Sequence, residues 1–269
     1  MLPIVDVHAH YIASDPNGRE HFRRLVDSPD LAKVAVCALD LKLDHSADFP
    51  YMTTFSTTNE QLAALVEALD SPKVVPFCYV DPREADAPRQ AEHWVRERGM
   101  CGVKLYPPLG WYPDEPRVLP TFQAAEALGV PVLIHMGRVA PHPQLRSKYA
   151  RPLCLEDIGL ACPRLTLIIG HFGTPWQWEA FDIAAGFRNF FFDLTTSGSL
   201  DIPLLKLVVE YPSLGLRRIV LGTDGTGSDN LARARATLER LRAGGFTDDQ
   251  LSAIAHHNGL AALGEGAGR

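Results

Sequence analysis

Short runs of apolar and β-branched residues recur along the chain, separated by longer stretches in which the apolar positions return every three or four residues. The runs predict strands over residues 4–8, 33–39, 74–80, 102–105, 132–135, 165–170, 190–194 and 218–222, each bounded by turn-forming residues. The stretches between them predict helices, for example over 59–69, 89–98 and 119–128. The last of these carries Phe122, Ala125 and Leu128 on one face and stops at Gly129, the residue best able to leave a helix through left-handed backbone. Successive strands begin 25 to 41 residues apart, which is room for a strand, a helix and two loops. Eight strands alternating with helices predict parallel pairing and a (β/α)8 TIM barrel, a single domain over residues 1–269. A doubly wound open sheet is the other topology this alternation allows. No linker, repeat or low-complexity stretch breaks the pattern, and Thr247 with Gln250 has capping-box spacing, so residues 247–263 read as a closing helix.

The connections are unequal in length. Those leading from helix to strand are three residues long (Asp70-Ser71-Pro72, Gly99-Met100-Cys101, Gly129-Val130-Pro131), whereas those after strands run over 42–58, 106–117, 136–155 and 195–203. In a barrel every loop that follows a strand emerges on the C-terminal face, where barrel active sites lie.

Composition narrows the function classes. With 46% hydrophobic and 22% charged residues the chain is of ordinary globular make-up. Its net charge of −6 and the lack of a basic block argue against nucleic acid or an anionic membrane as a partner. A small-molecule substrate is expected instead, and a homo-oligomer is left open. The five cysteines (Cys37, Cys78, Cys101, Cys154 and Cys162) are scattered and odd in number, as expected of reduced thiols. No apolar run reaches 18 residues and the first residues have no basic signal-like segment, so the expectation is a cytoplasmic protein.

The polar residues at the strand ends carry the chemistry. His8 and His10 are two apart and share one side of an extended chain; His135 closes V-L-I-H; His171 follows I-I-G; Asp224 closes I-V-L-G-T-D; Lys104 sits in G-V-K-L-Y. Val103 and Leu105 belong against the helix layer, so alternation turns Lys104 into the barrel. The other six histidines (His21, His45, His93, His142, His256 and His257) fall in helical or loop contexts and read as surface residues. Any one histidine after an apolar strand is as well explained as a hydrogen-bonded core residue. Four of them with an aspartate and a lysine at one end of one barrel would be costly to bury unless something offsets the charge. A divalent cation does so: imidazoles and a carboxylate suit zinc, with manganese or iron as alternatives.

This ordered set, H-x-H on the first strand, histidines on the fifth and sixth and an aspartate on the eighth, resembles the amidohydrolase superfamily. The segments G-V-K-L-Y-P, V-L-I-H-M-G, A-C-P-R-L-T-L-I-I-G-H-F-G and L-G-T-D-G resemble its amidohydrolase-2 branch, which includes aminocarboxymuconate-semialdehyde-type decarboxylases. The resemblance implies that His8, His10, His135 and Asp224 hold one metal and that His171 acts on the substrate or holds a second. It leaves Lys104 open between an amine paired with Asp224 or an acidic substrate, and a carboxylated lysine shared by two metals as in binuclear relatives.

Metal-assisted hydrolysis of a small ester, lactone or amide-like substrate is the first expectation, with Asp224 shuttling the proton of a metal-activated water and His171 stabilising the developing oxyanion. Non-oxidative decarboxylation by the same residues is the alternative, and a non-catalytic binding protein on a barrel scaffold is a remote one. Arg138, Tyr106, Trp111, Tyr149 and Trp176 on the long loops are the candidate substrate contacts, Arg138 for a carboxylate group. A serine-triad enzyme is not indicated, since there is no G-x-S-x-G.

Overall fold

The eight apolar runs form eight strands: β1 (Ile4–His10), β2 (Leu31–Cys37), β3 (Val74–Tyr79), β4 (Gly102–Leu105), β5 (Val132–Ile134), β6 (Leu167–Ile169), β7 (Phe190–Asp193) and β8 (Ile219–Val220). These come from a computed structural model that describes residues 2–44, 48, 52, 54–195, 200–211 and 215–265. The strands lie side by side in chain order, every neighbouring pair parallel. The ends of the sheet meet. Val7 N donates to Leu221 O at 2.9 Å, Asp224 N to His8 O at 2.7 Å and His10 N to Gly225 O at 2.9 Å, which closes β1 onto the segment that continues β8. This is the TIM barrel that the alternation predicts, not an open sheet.

Local chemistry sets the helix ends. Helix α2 (Asn59–Leu69) follows α1 (Gly18–Asp27) and starts at a capping box in which Thr58 and Gln61 satisfy each other's backbone N–H. After α3 (Ala87–Arg96), α4 (Leu119–Leu128) buries Thr121, Phe122 and Ala125 and leaves through Gly129 at φ 69°. The closing segment is capped by Thr247 and Gln250 as its spacing predicts, but a π turn over Ala253–His257 interrupts the helix.

Alternation along the strands divides the apolar residues between two layers. Val5, Val7, Cys37, Phe77, Leu133, Ile168 and Val220 fill the barrel interior, whose N-terminal end is closed by Leu260, Ala262 and Leu263. Ile4, Val103, Leu105, Val132 and Ile134 face the helices. Strict alternation from Val5 and Val7 would send His8 and His10 outward. The register of β1 against β2 shifts between Asp6 and Ala9, so that Ala9 packs in the outer layer while both histidines turn to the C-terminal mouth.

Candidate active site

The mouth holds a compact cluster of ionisable side chains. His8, His10, Lys104, His135, His171 and Asp193 are all buried, and Asp224 remains 31% exposed at the surface of the cluster. His171 and Asp224 stand in left-handed backbone, φ 58° and 53°, which for non-glycine residues costs about 1–3 kcal/mol each. Both are held there by backbone bonds. His171 N donates to Asp193 Oδ1 at 2.8 Å and to Thr195 Oγ1 at 3.1 Å, and Asp224 N donates to His8 O at 2.7 Å. Gly222 makes room between strands, since a β-carbon there would stand 2.8 Å from Thr195 Cγ2 and 3.0 Å from His8 Cβ.

The hydrogen bonds fix which nitrogen of each imidazole is free. His8 Nδ1 donates to Asp193 Oδ2 at 2.8 Å, so its Nε2 carries a lone pair, which accepts from Lys104 Nζ at 2.9 Å. Thr195 Oγ1 gives its proton to Asp193 and takes one from His171 Nδ1 at 2.7 Å. His171 Nε2 must then accept from His135 Nδ1 at 3.0 Å, which leaves His135 Nε2 as a buried lone pair without a partner. His10 Nδ1 is likewise buried and unpartnered.

Burial, with the charge of Lys104 adding to it, pushes His10 well below the usual histidine range. Burial, with the neighbouring His171 and Lys104, does the same to His135, and burial lowers His171. Lys104 is lowered too, by burial, against the pull of Cys37, Asp224 and Asp193. For Asp193 burial works towards the neutral acid, but the imidazoles of His8 and His171 and the bonds from His8 and Thr195 outweigh it and hold the carboxyl far down. The neutral imidazole is the form that ligates metal.

Three of these atoms have the spacing of a metal's ligands. His8 Nε2 and His10 Nε2 are 3.2 Å apart, His10 Nε2 and Asp224 Oδ1 3.4 Å, and His8 Nε2 and Asp224 Oδ1 3.7 Å. Metal–ligand bonds near 2.1 Å at tetrahedral angles place neighbouring donors about 3.4 Å apart. The donor set therefore fits a divalent ion, and Asp193 behind His8 is the carboxylate that orients a ligating imidazole. His135, expected with them, is turned by Nδ1 to His171 but offers its free Nε2 to the same mouth. His171 is hydrogen-bonded through both ring nitrogens, to His135 and to Thr195, and with His8 and Asp193 it forms the other group of donors at metal spacing among the described residues. Lys104 points inward as alternation predicts, but its partner is His8, not Asp224.

A cavity of about 180 Å3 opens above this cluster, walled by Leu39, Met52, Phe55, Tyr106, Val139 and Ala140, with His10, His135, His171 and Asp224 on its floor and Arg138 beside them. Larger hollows of about 400 and 660 Å3 lie elsewhere, away from the histidines. Of the expected substrate contacts, Tyr106 and Arg138 line the cavity. Trp111, Tyr149 and Trp176 do not. Trp111 is fully buried in the layer outside the barrel, Tyr149 packs edge-on to Tyr112, and Trp176 lies beneath the Arg151 guanidinium. Large aromatic rings in long loops here serve to hold the loops down. Among the histidines read as surface, His142 is instead buried, with Nε2 3.2 Å from Asp44 O, and His45 lies outside the described residues.

The sequence reading missed Asp193, Thr195 and Asp6. Asp193 closes the apolar run F-F-F-D and carries the same strand-end signal as Asp224. Asp6 accepts from His8 N (3.1 Å), Thr223 N (3.0 Å), Thr223 Oγ1 (2.6 Å) and Asn230 Nδ2 (2.8 Å), tying β1 to the β8 segment. Burial raises its carboxyl to about 6 against those bonds.

The comparisons with known proteins agree with this fold. A search of curated protein sequences returns no match. Among solved structures the chain resembles 2,6-dihydroxybenzoate decarboxylase from Rhizobium (17% identity, 98% of this chain and 99% of that one, TM-score 0.66). It also resembles 5-carboxyvanillate decarboxylase from Novosphingobium aromaticivorans, solved with manganese and 4-hydroxy-3-methoxy-5-nitrobenzoic acid (15%, 97% and 96%, TM-score 0.65). A third is dihydroorotase from Campylobacter jejuni (13%, 96% and 82%, TM-score 0.60). At these identities the likeness is one of fold. The family model described as Amidohydrolase (Amidohydro_2) matches residues 5–264, nearly the whole chain, and the protein is therefore an enzyme of the amidohydrolase family.

Proposed function

We propose that the chain is a metal-dependent, non-oxidative decarboxylase of a small aromatic carboxylic acid. The observation that carries this reading is the cavity, whose apolar and aromatic walls suit a single ring and whose one guanidinium suits a carboxylate or phenolate. The named activities of two structural relatives, both decarboxylases of ring acids, support it. His8, His10 and Asp224 would hold the ion, with His135 offering its free Nε2 as a further donor. When bound, such an ion anchors and polarises an acidic oxygen of the substrate. Arg138 pairs with a second oxygen, and the wall residues hold the ring in place. Asp224, the one acid of the cluster that is partly exposed to the cavity, would take up a proton from solvent and deliver it to the ring carbon as the bond from that carbon to the carboxyl carbon breaks. The bonding electrons stay with the ring carbon, the new C–H bond takes them up, and carbon dioxide leaves.

Hydrolysis, the first expectation from the sequence, is the second reading. The same donor set could activate a water, and dihydroorotase shares the fold. Turnover of a panel of hydroxybenzoic acids in deuterated and in heavy-oxygen water separates the two. Decarboxylation releases carbon dioxide and puts deuterium on the vacated ring position, whereas solvent oxygen in the product without carbon dioxide release would overturn it.

Two variants follow. Arg138→Ala should raise KM for the acid about tenfold or more, the effect of losing a charge-assisted hydrogen bond of about 1.5–3 kcal/mol, and leave a neutral analogue unchanged. Equal effects on both would remove Arg138 from substrate binding. For Lys104 we take the one-ion reading, in which the buried amine gives up His8 Nε2 to the ion and turns to an acidic group of the substrate. Lys104→Met, which keeps the buried volume, should hold metal content near one ion per chain. A fall from two ions to one, with rescue of Lys104→Ala, whose smaller side chain leaves room, by short-chain carboxylic acids, would establish the carboxylated form instead.

A further inference from the structure

Several exposed arginines pair with carboxylates, as Arg235 does with Asp30 and Arg242 with Asp248. Arg218 does not. It immediately precedes β8, is 8% exposed, and donates one hydrogen bond, from Nη1 to Phe190 O at 3.3 Å. A guanidinium has five N–H donors, so the described residues leave most of them without a protein acceptor. Arg218 faces a hollow of about 660 Å3 that Arg188, Arg217, Phe191 and Asn258 also line, with no carboxylate among the lining residues. Burial first, then the charges of Arg217 and Arg188, lower the Arg218 guanidinium below its ordinary range, and no acidic side chain opposes them. In a chain of net charge −6, the hollow is thus lined by one buried and two exposed arginines with no carboxylate among its lining residues, a local excess of positive charge that an anion would offset.

The hollow is at the other end of the barrel from the histidines. Arg188 stands just before β7, whose far end carries Asp193, and Arg217 and Arg218 stand just before β8, whose continuation carries Asp224. The floor is shared with the closing segment through Asn258 and Ala261.

We propose that this pocket binds a small, multiply charged oxyanion, held by Arg188, Arg217 and Arg218. Guanidinium forks match the paired oxygens of both phosphoryl and carboxylate groups, and the volume admits more than a bare inorganic ion. Titration calorimetry on the metal-loaded enzyme, with inorganic phosphate in one arm and succinate in the other, tests it against sodium chloride at matched ionic strength. Saturable binding is expected in at least one arm, and the arm that binds assigns the class, phosphoryl or polycarboxylate. Arg188→Ala and Arg217→Ala, both exposed and outside the catalytic cluster, should each weaken binding about tenfold, in line with the loss of one charge-assisted hydrogen bond. Arg138→Ala should leave it unchanged, which separates this pocket from the active-site cavity. Heats no larger than those of chloride, or an affinity indifferent to the Arg188/Arg217 double variant, would overturn the proposal.

Discussion

Asp224→Asn is expected to lower kcat by about two to four orders of magnitude, the usual effect of losing a positioned acid or base, while leaving the fold intact. The amide keeps the shape of the carboxylate and cannot carry the proton. It also tolerates the left-handed backbone at φ 53°, where asparagine and aspartate are the side chains that sit most readily after glycine. The backbone bond from residue 224 N to His8 O does not involve the side chain and should survive. The amide oxygen is a weaker ligand than the carboxylate, so the measurement belongs at saturating metal, with circular dichroism as the check on the fold. A kcat within a few-fold of the parent would show that Asp224 does not move the proton.

The second large effect is on metal. Changing His8 and His10 together to alanine should empty the site, because two of the three atoms at ligand spacing are lost. Metal analysis of protein purified without an affinity metal, then reloaded with zinc or manganese, reads this directly. The double variant also removes the partner of buried Asp193 and of Lys104, and breaking a buried pair in this way costs about 3–5 kcal/mol. His10→Ala alone avoids that cost, since His10 holds neither residue, and it should still weaken metal binding. Full metal retention in the double variant would refute the assignment of these histidines.

Much of the fold could be read from the chain. Eight apolar runs at strand-plus-helix spacing, with short turns on one side and long loops on the other, point to a parallel sheet covered by helices and to its working face, with the barrel preferred over a doubly wound sheet. Strand-end placement also marks His8, His10, Lys104, His135, His171 and Asp224, since a polar residue closing an apolar run lies at the mouth, whichever way its side chain turns. Asp193 carried the same signal after Phe190, Phe191 and Phe192 and was passed over because the run reads as a strand end in its own right.

The loops were legible only in part. Tyr106 and Arg138 reach the cavity and Trp111, Tyr149 and Trp176 do not, because a loop's path depends on contacts with residues distant in the chain. Leu39, Met52 and Phe55, which wall the cavity, carry no local signal that separates them from any other apolar loop residue.

The sequence by itself determined the parallel α/β class, the end of the sheet at which the chemistry sits and the residue types gathered there, since periodicity and strand-end polarity are local properties that burial translates into position. Only the tertiary structure decided how those residues meet: the register shift between Asp6 and Ala9 that turns His8 and His10 to the mouth, the Asp193–Thr195–His171–His135 chain that sets which nitrogens are free, and the pairing of Lys104 with His8. A hydrogen bond between β4 and β1, or between β6 and β7, depends on where separate strands come to rest to within an ångström, and no spacing along one chain encodes that distance.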